Sequence, residues 1–281
     1  MDADTQVKKE TRSQEASPYF RTTRGAYLVE LFSSVQGEGL YVGERQIFIR
    51  FYGCHLNCHF CDTPETVIAR QPKWFYPSTF QLEQTPGCRD FKRMPNPVSA
   101  EQLLRLVLDL DLPRGLHHSV SLTGGEPLLH LPFLHRFLPI VKAEGLRVYL
   151  ETAGDLPRAL QGVLEWVDIV AMDIKLPSVT KDRPHWTQHQ TFLRLCVEAE
   201  REIFVKVVVS AEADPAEIEQ AACLIAKTAP SIPLILQPMS PFGEAQNPPT
   251  PAQLLEWQQL ARRFLPHVRV IPQCHKIMGQ L

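Results

Sequence analysis

Eight short apolar runs rich in β-forming residues recur along the chain, at 27–32, 46–51, 119–122, 147–150, 168–172, 203–209, 233–236 and 268–271, with helical patterns between them. Such alternation predicts parallel βα units and an α/β fold. Helix starts between the runs are legible. Ser99 with Gln102 forms a capping-box pattern ahead of Leu103, Leu106, Val107 and Leu110, which recur at helical spacing. Asp214-Pro215 with Glu217, and Thr250-Pro251 with Gln253, each place an N-cap, a first-turn proline and a third-position acceptor in order. These helices are expected to cover the sheet. Gly145 reads as a helix C-cap, and Pro139 upstream implies a kink or an early break.

The chain has 281 residues, 44% hydrophobic and 21% charged, which fits one α/β domain. A formal charge of −2 gives no bulk attraction to nucleic acid. No apolar run approaches the roughly 20 residues that cross a bilayer, and the first 25 residues lack an apolar centre, so a cytoplasmic protein is expected. Residues 1–25 are too polar to offset the entropy of ordering and read as a flexible tail, leaving 26–281 as a single domain. Within it, 64–98 carries six prolines, Trp74, Phe75, Tyr76 and Cys88 without a clean period. It reads as a long ordered insertion, either a lid or interface element or a surface loop.

Cys54, Cys58 and Cys61 stand in one run with spacing C-x3-C-x2-C and no fourth cysteine nearby. Thiolates suit iron and zinc, and a structural site usually gathers four ligands, so three suggest a metal centre with an open position. A Cys3His zinc site using His55 or His59 is the alternative on residue type alone. Disulfides fit poorly with seven cysteines, an odd number. Cys196 and Cys223 lie in apolar helical patterns and are expected in the core. At the end of the run 119–122 comes Thr123-Gly124-Gly125-Glu126-Pro127, where two glycines allow close backbone approach and the glutamate is an anionic acceptor. Other strand ends lead into Glu151-Thr152-Ala153-Gly154, Asp173-Ile174-Lys175 and Gln237-Pro238-Met239-Ser240, where barrel-like folds place their active sites. Lys206, inside an apolar strand, must pair with a carboxylate or face that cleft.

Cys-x3-Cys-x2-Cys together with Gly-Gly-Glu-Pro matches the radical S-adenosylmethionine (SAM) superfamily. Gln36-Gly37-Glu38-Gly39 ahead of the cysteines, Cys61-Asp62-Thr63, Asp173-x-Lys175-x-Pro177-Ser178, Gln237-Pro238 and a terminal His275-Lys276 closely resemble the 7-carboxy-7-deazaguanine synthases, from about Val29 to Gly279. The resemblance implies a partial, open (β/α)6 TIM-like barrel and conversion of 6-carboxy-5,6,7,8-tetrahydropterin to 7-carboxy-7-deazaguanine, with loss of ammonia, on the path to queuosine and related 7-deazapurines. It also implies a [4Fe-4S] cluster on Cys54, Cys58 and Cys61, and Mg2+ at Thr63. SAM would be bound by Phe60, Cys61, Asp62, Gly124, Gly125, Glu126, Asp173, Ile174, Lys175, Gln237, Pro238, Met239 and Ser240. The pterin would meet Val35, Gln36, Gly37, Glu38, Arg50 and Thr123, with Arg50 clamping its carboxylate through the guanidinium fork. An electron donor such as flavodoxin or ferredoxin, a homodimer and a C-terminus folded over the site belong to the same expectation. A glycyl-radical-enzyme activase, or a non-catalytic zinc module, would remain if the pterin motifs misled.

Overall fold

The computed structural model describes residues 25–73, 75–243 and 245–280. The expected tail lies outside these residues except for Gly25, and so does Trp74. One sheet contains strands β1 (Leu28–Val35), β2 (Arg45–Phe51), β3 (Thr79–Glu83), β4 (Phe91–Pro95), β5 (Ser119–Gly124), β6 (Val148–Thr152), β7 (Ile169–Asp173), β8 (Glu202–Val209), β9 (Leu234–Pro238) and β10 (Val268–Val270). Their spatial order is β10-β9-β8-β7-β6-β5-β2-β1-β3-β4, and the sheet does not close. From β2 through β5 to β10 every neighbouring pair is parallel, as the alternation predicts.

Helices α1 (Ala100–Leu110), α2 (Leu131–Ala143), α3 (Pro157–Val163), α4 (Pro177–Thr180), α5 (Trp186–Glu198), α6 (Pro215–Thr228), α7 (Pro251–Arg262) and α8 (Cys274–Ile277) follow in chain order. Both capping boxes form, Ser99 with Gln102 and Thr250 with Gln253. Asp214 caps α6 through Ala216 N, but Glu217 turns away to accept from Ser178 N and Oγ at 3.0 and 2.6 Å.

The strands' two-residue period separates two jobs. Ile47, Ile49, Leu122, Leu150, Met172, Val207 and Leu236 face the helices and share one core with Leu103, Phe137, Phe192, Ile218 and Trp257. Burial of each such side chain contributes roughly 1.5–3 kcal/mol. The alternate positions face inward, where Tyr149, Ile169, Ala171, Phe204 and Ile235 form a smaller cluster, leaving the polar strand-end residues beyond it.

Four expectations change. β1 runs antiparallel to β2, so it does not start a parallel βα unit. The 64–98 insertion contains a hairpin: β3 pairs parallel with β1 and antiparallel with β4, extending the sheet. Phe80 and Leu82 are its buried anchors, and a five-residue strand among prolines is too short to display a period. Helix α2 continues through Pro139, because Phe133, Leu134, Phe137, Leu138 and Val141 pack one face into the core and packing outweighs the missing hydrogen bond. Cys196 is fully buried as expected, whereas Cys223 is half-buried. Among the described residues, no helix is long and apolar enough to cross a membrane.

Candidate active site

A cavity of about 220 Å³ opens at the carboxyl ends of the parallel strands. Arg50 from β2, Thr123 from β5, Glu151 from β6, Asp173 from β7, Lys206 from β8 and Gln237 from β9 line it. All six sit on the inward register, so one sheet face gathers them from across the chain.

Cys54, Cys58 and Cys61 line the same cavity and pack with Leu56 and Ala153. The loop that carries them is pinned at its ends: Cys54 N donates to Thr66 O at 2.8 Å and His59 N to Thr180 O at 3.0 Å. Burial pushes the Cys54 thiol well above its ordinary value. Burial pushes Cys58 up to about 11, with the Lys175 charge opposing it. A thiol in such a place is inert until a metal takes its proton, which coordination does outright. Neither motif histidine is placed as a fourth ligand: His55 Nε2 donates to Asp155 Oδ2 at 2.6 Å, and His59 is exposed.

The double glycine brings β5 against this loop. Gly124 has φ +110°, and a Cβ on Gly125 would lie 2.1 Å from Gly53 O, so no side chain fits there. Glu126 N donates to Gly53 O at 2.8 Å. The Glu126 carboxylate is buried and does not line the cavity. It accepts from Thr152 Oγ1 at 2.9 Å, Ala153 N at 2.9 Å and Leu128 N at 3.1 Å, fixing the end of β6. Ile174 and Pro238 also lie off the cavity, whereas Phe60, Asp62, Met239 and Ser240 line it.

The fit of a SAM-like ligand rests on the acceptors beside the cysteines. Asp173 Oδ1 and Gln237 Oε1 are buried without a hydrogen-bond partner among the described residues. Buried acceptors require donors, and an α-ammonium or ribose hydroxyls would supply them. Lys175 Nζ contacts Asp173 Oδ2 at 2.9 Å and stands 5.5 Å from the Phe60 ring centre. Three soft sulfur donors beside such acceptors fit an iron-sulfur cluster with SAM. Thr63, also on the cavity wall, offers one hydroxyl oxygen of the kind Mg2+ takes.

A second polar group forms the opposite wall. Gln36 Nε2 donates to Glu151 Oε1 at 2.7 Å and Gln46 Oε1 at 3.1 Å, while Gln36 Oε1 accepts from Glu38 N at 2.9 Å. Thr123 Oγ1 donates to the other Glu151 oxygen at 2.7 Å. Burial, then the Glu38 charge, raises the Glu151 carboxyl above its ordinary value. Burial alone would raise Glu38 as well, but the charge and hydrogen bond of Lys206 dominate and bring it down to about 2. Lys206 pairs with Glu38 and lies 3.4 Å from Asp173, so it both pairs and faces the cleft, as an ammonium in an apolar strand must. Arg50 is held through Nε by Glu30 at 2.5 Å, with its guanidinium 5.9 Å from the Phe32 ring centre.

The C-terminal residues close this side. Cys274 N donates to Gly37 O at 2.8 Å, and a Cβ on Gly37 would lie 2.1 Å from His275 Nδ1. Gln273 Nε2 donates to Glu38 Oε1 at 2.8 Å, and Lys276 Nζ lies 3.5 Å from Asp62. Val35, Gln36, Gly37, Glu38, Arg50 and Thr123 thus share one wall with Gln273, His275 and Lys276. Glu151, Lys206 and Gln273 had no assigned role on sequence grounds. Glu151 and Lys206 carried a signal, a charge at a strand end or inside a strand, whereas Gln273 carried none.

Comparison with known proteins agrees with this geometry. The radical SAM superfamily profile matches residues 48–209. A 7-carboxy-7-deazaguanine synthase from Geobacter sulfurreducens is 45% identical over 92% of this chain and 98% of its own length. The protein of the same name from Thermococcus kodakarensis is 34% identical over 90% of this chain and 98% of its own. In fold, the chain resembles QueE from Escherichia coli, with TM-score 0.53, 21% identity and coverage of 93% of this chain and 100% of that one. It also resembles a radical SAM methyltransferase from Sphaerobacter thermophilus, with TM-score 0.57, 14% identity and coverage of 97% and 82%.

Proposed function

The chain belongs to the 7-carboxy-7-deazaguanine synthase family, within the radical SAM superfamily, and from this we infer that its cleft converts 6-carboxy-5,6,7,8-tetrahydropterin to 7-carboxy-7-deazaguanine with release of ammonia. It is a radical SAM enzyme with a [4Fe-4S] cluster and SAM, acting on a small molecule with the help of a reductant. Family membership sets aside the zinc-module and activase readings. The observation that carries the substrate assignment is the shared cavity, in which three cysteines face a wall of hydrogen-bonding groups built from Gln36, Glu38, Thr123, Glu151 and Lys206.

Cys54, Cys58 and Cys61 would hold the cluster, and the acceptors Asp173 and Gln237 would orient SAM. Together these groups supply radical initiation, the chemistry that side chains lack. The protein's own contribution is placement. Gln36 and Thr123 lock Glu151 between two donors, so its carboxyl is fixed in direction. Burial with the Glu38 charge raises its pKa above the ordinary carboxylate value, which makes it a better proton acceptor than a solvated carboxylate. Glu38 is instead kept ionised by Lys206 and presents an acceptor to ring N–H groups. Arg50, anchored at Nε, would offer its remaining donors to the substrate carboxylate, and Thr63 is the residue that would contribute a hydroxyl oxygen to Mg2+, which would supply charge stabilisation there. Gln273, His275 and Lys276, which line the same cavity, would cover the bound substrate and limit the access of water to the reacting centre. A homodimer, a flavodoxin or ferredoxin as donor, and a cytoplasmic location complete the reading.

The test is anaerobic reconstitution with iron and sulfide, then incubation with dithionite, SAM, Mg2+ and 6-carboxytetrahydropterin, with product identified by mass. Formation of 7-carboxy-7-deazaguanine is expected, with its loss in Cys58→Ala. An intact cluster that cleaves SAM yet leaves the pterin unchanged would overturn the substrate assignment.

A further inference from the structure

Behind the cysteine loop lies a group of side chains that the proposed chemistry does not use. Asp155, 6% exposed, follows the end of β6, and its Oδ2 accepts from His55 Nε2 at 2.6 Å. The same oxygen lies 3.6 Å from Nδ1 of His185, the N-cap residue of α5. One turn on, His189 Nε2 donates to Ala153 O at 3.1 Å, with its ring 6.1 Å from that of His185. Asp155 Oδ1, His185 Nε2 and His189 Nδ1 are all buried without a partner among the described residues.

Such a group is costly to the fold. A nearly buried carboxylate with one unpaired oxygen and two incompletely bonded imidazoles destabilises relative to an apolar cluster of the same volume. The turn that carries Asp155 does not depend on it, since Glu126 already holds Ala153 N and Gly154 adopts φ +67°. What Asp155 reaches is the cysteine loop, a hundred positions away in sequence.

Residues 55–58 lie outside helix and strand, so side chains must set their conformation. Two clamps do so. Arg70 binds Asn57 Oδ1 at 2.5 Å and Cys58 O at 3.0 Å on the outer side, and Asp155 takes His55 on the inner side. We propose that Asp155 is a positioning residue for the cluster, holding the Cys54–Cys58 segment through His55 in the shape that receives iron. The assignment rests on Cys54, Cys58 and Cys61 being the cluster ligands. Loss of a side chain hydrogen-bonded to a metal ligand typically costs about 10- to 100-fold in metal affinity, and Asp155, which holds the neighbour of Cys54 and not the ligand itself, belongs at the low end of that range.

The experiment compares the parent protein with His55→Phe, His55→Gln and Asp155→Ala, each reconstituted anaerobically. Three quantities are measured: the rate of iron loss to a chelator, the EPR g-values of the dithionite-reduced cluster, and the melting temperature of cluster-free protein. His55→Phe and Asp155→Ala should lose iron about 10-fold faster with altered g-values, while His55→Gln, which keeps an N–H donor, stays close to the parent. Parental iron-loss rates and g-values in His55→Phe would overturn the proposal, as would an effect confined to the melting temperature of the cluster-free protein. Should Asp155→Ala not fold, the two His55 variants still decide the matter. A parent that assembles no cluster at all would overturn the ligand assignment itself, which is a different result from a parent-like variant.

Discussion

At the scale of single residues, the site works by giving chemically similar groups different surroundings. Glu38 and Glu151 share one wall, yet Lys206 holds the first ionised while burial and the Glu38 charge raise the second. Arg50 lines the same cavity, anchored to Glu30. In Arg50→Ala, loss of a charge-assisted contact to the substrate carboxylate should raise KM roughly 10- to 100-fold with little change in kcat. Steady-state kinetics on the pterin checks this, and parental KM would remove Arg50 from the clamp. Much of this level was legible beforehand, because cysteines, Gly-Gly-Glu-Pro and charges at strand ends announce themselves by type. Which carboxylate meets which lysine was not, since Lys206 and Glu38 lie 168 positions apart.

At the scale of elements, the joints are specified locally and the covers are not. The Ser99 cap satisfies the first turn of α1 on both sides of its box, so Ser99→Ala should lower stability by about 1 kcal/mol, read from urea unfolding, without changing cluster content. Gly37 belongs to the second kind. Its missing Cβ is what allows His275 to approach, so Gly37→Ala should push the 273–280 segment off the cleft. Faster proteolytic cleavage within that segment, with reduced product formation, is the expected result. An unchanged cleavage pattern would mean that the contact does not hold the cover in place. The β3–β4 hairpin escaped sequence reading for a related reason: β3 finds a second partner in β1, far back in the chain, so the hairpin does not rest on the pairing of its two short strands alone.

At the scale of the whole molecule, the sheet's outer core carries the stability and also its response to pH. His130 lies in that core, donating from Nε2 to Tyr52 O at 2.7 Å. Burial lowers its pKa to about 4, with the Tyr52 carbonyl working the other way. A histidine lowered in the folded state is protonated first in the unfolded chain. Its contribution to stability is therefore full at neutral pH, declines as pH falls below about 6.5, and is gone below about 4, a loss of about 3 kcal/mol. His130→Gln can keep the bond to Tyr52 without titrating, so its urea midpoint should fall less between pH 7 and 4 than the parent's. Parallel curves would refute this role. The sequence by itself determined eight of the ten strands, the N-cap residues Ser99, Asp214 and Thr250 and the inventory of soft and hard donors, because these follow from short-range periodicity and residue chemistry. Only the tertiary structure decided that β1 reverses direction, that the hairpin extends the sheet, and that Glu38, Glu151, Lys206 and Gln273 meet on one wall. Those choices depend on burying one face of a sheet whose neighbouring strands are far apart in the chain, and no local window contains that condition.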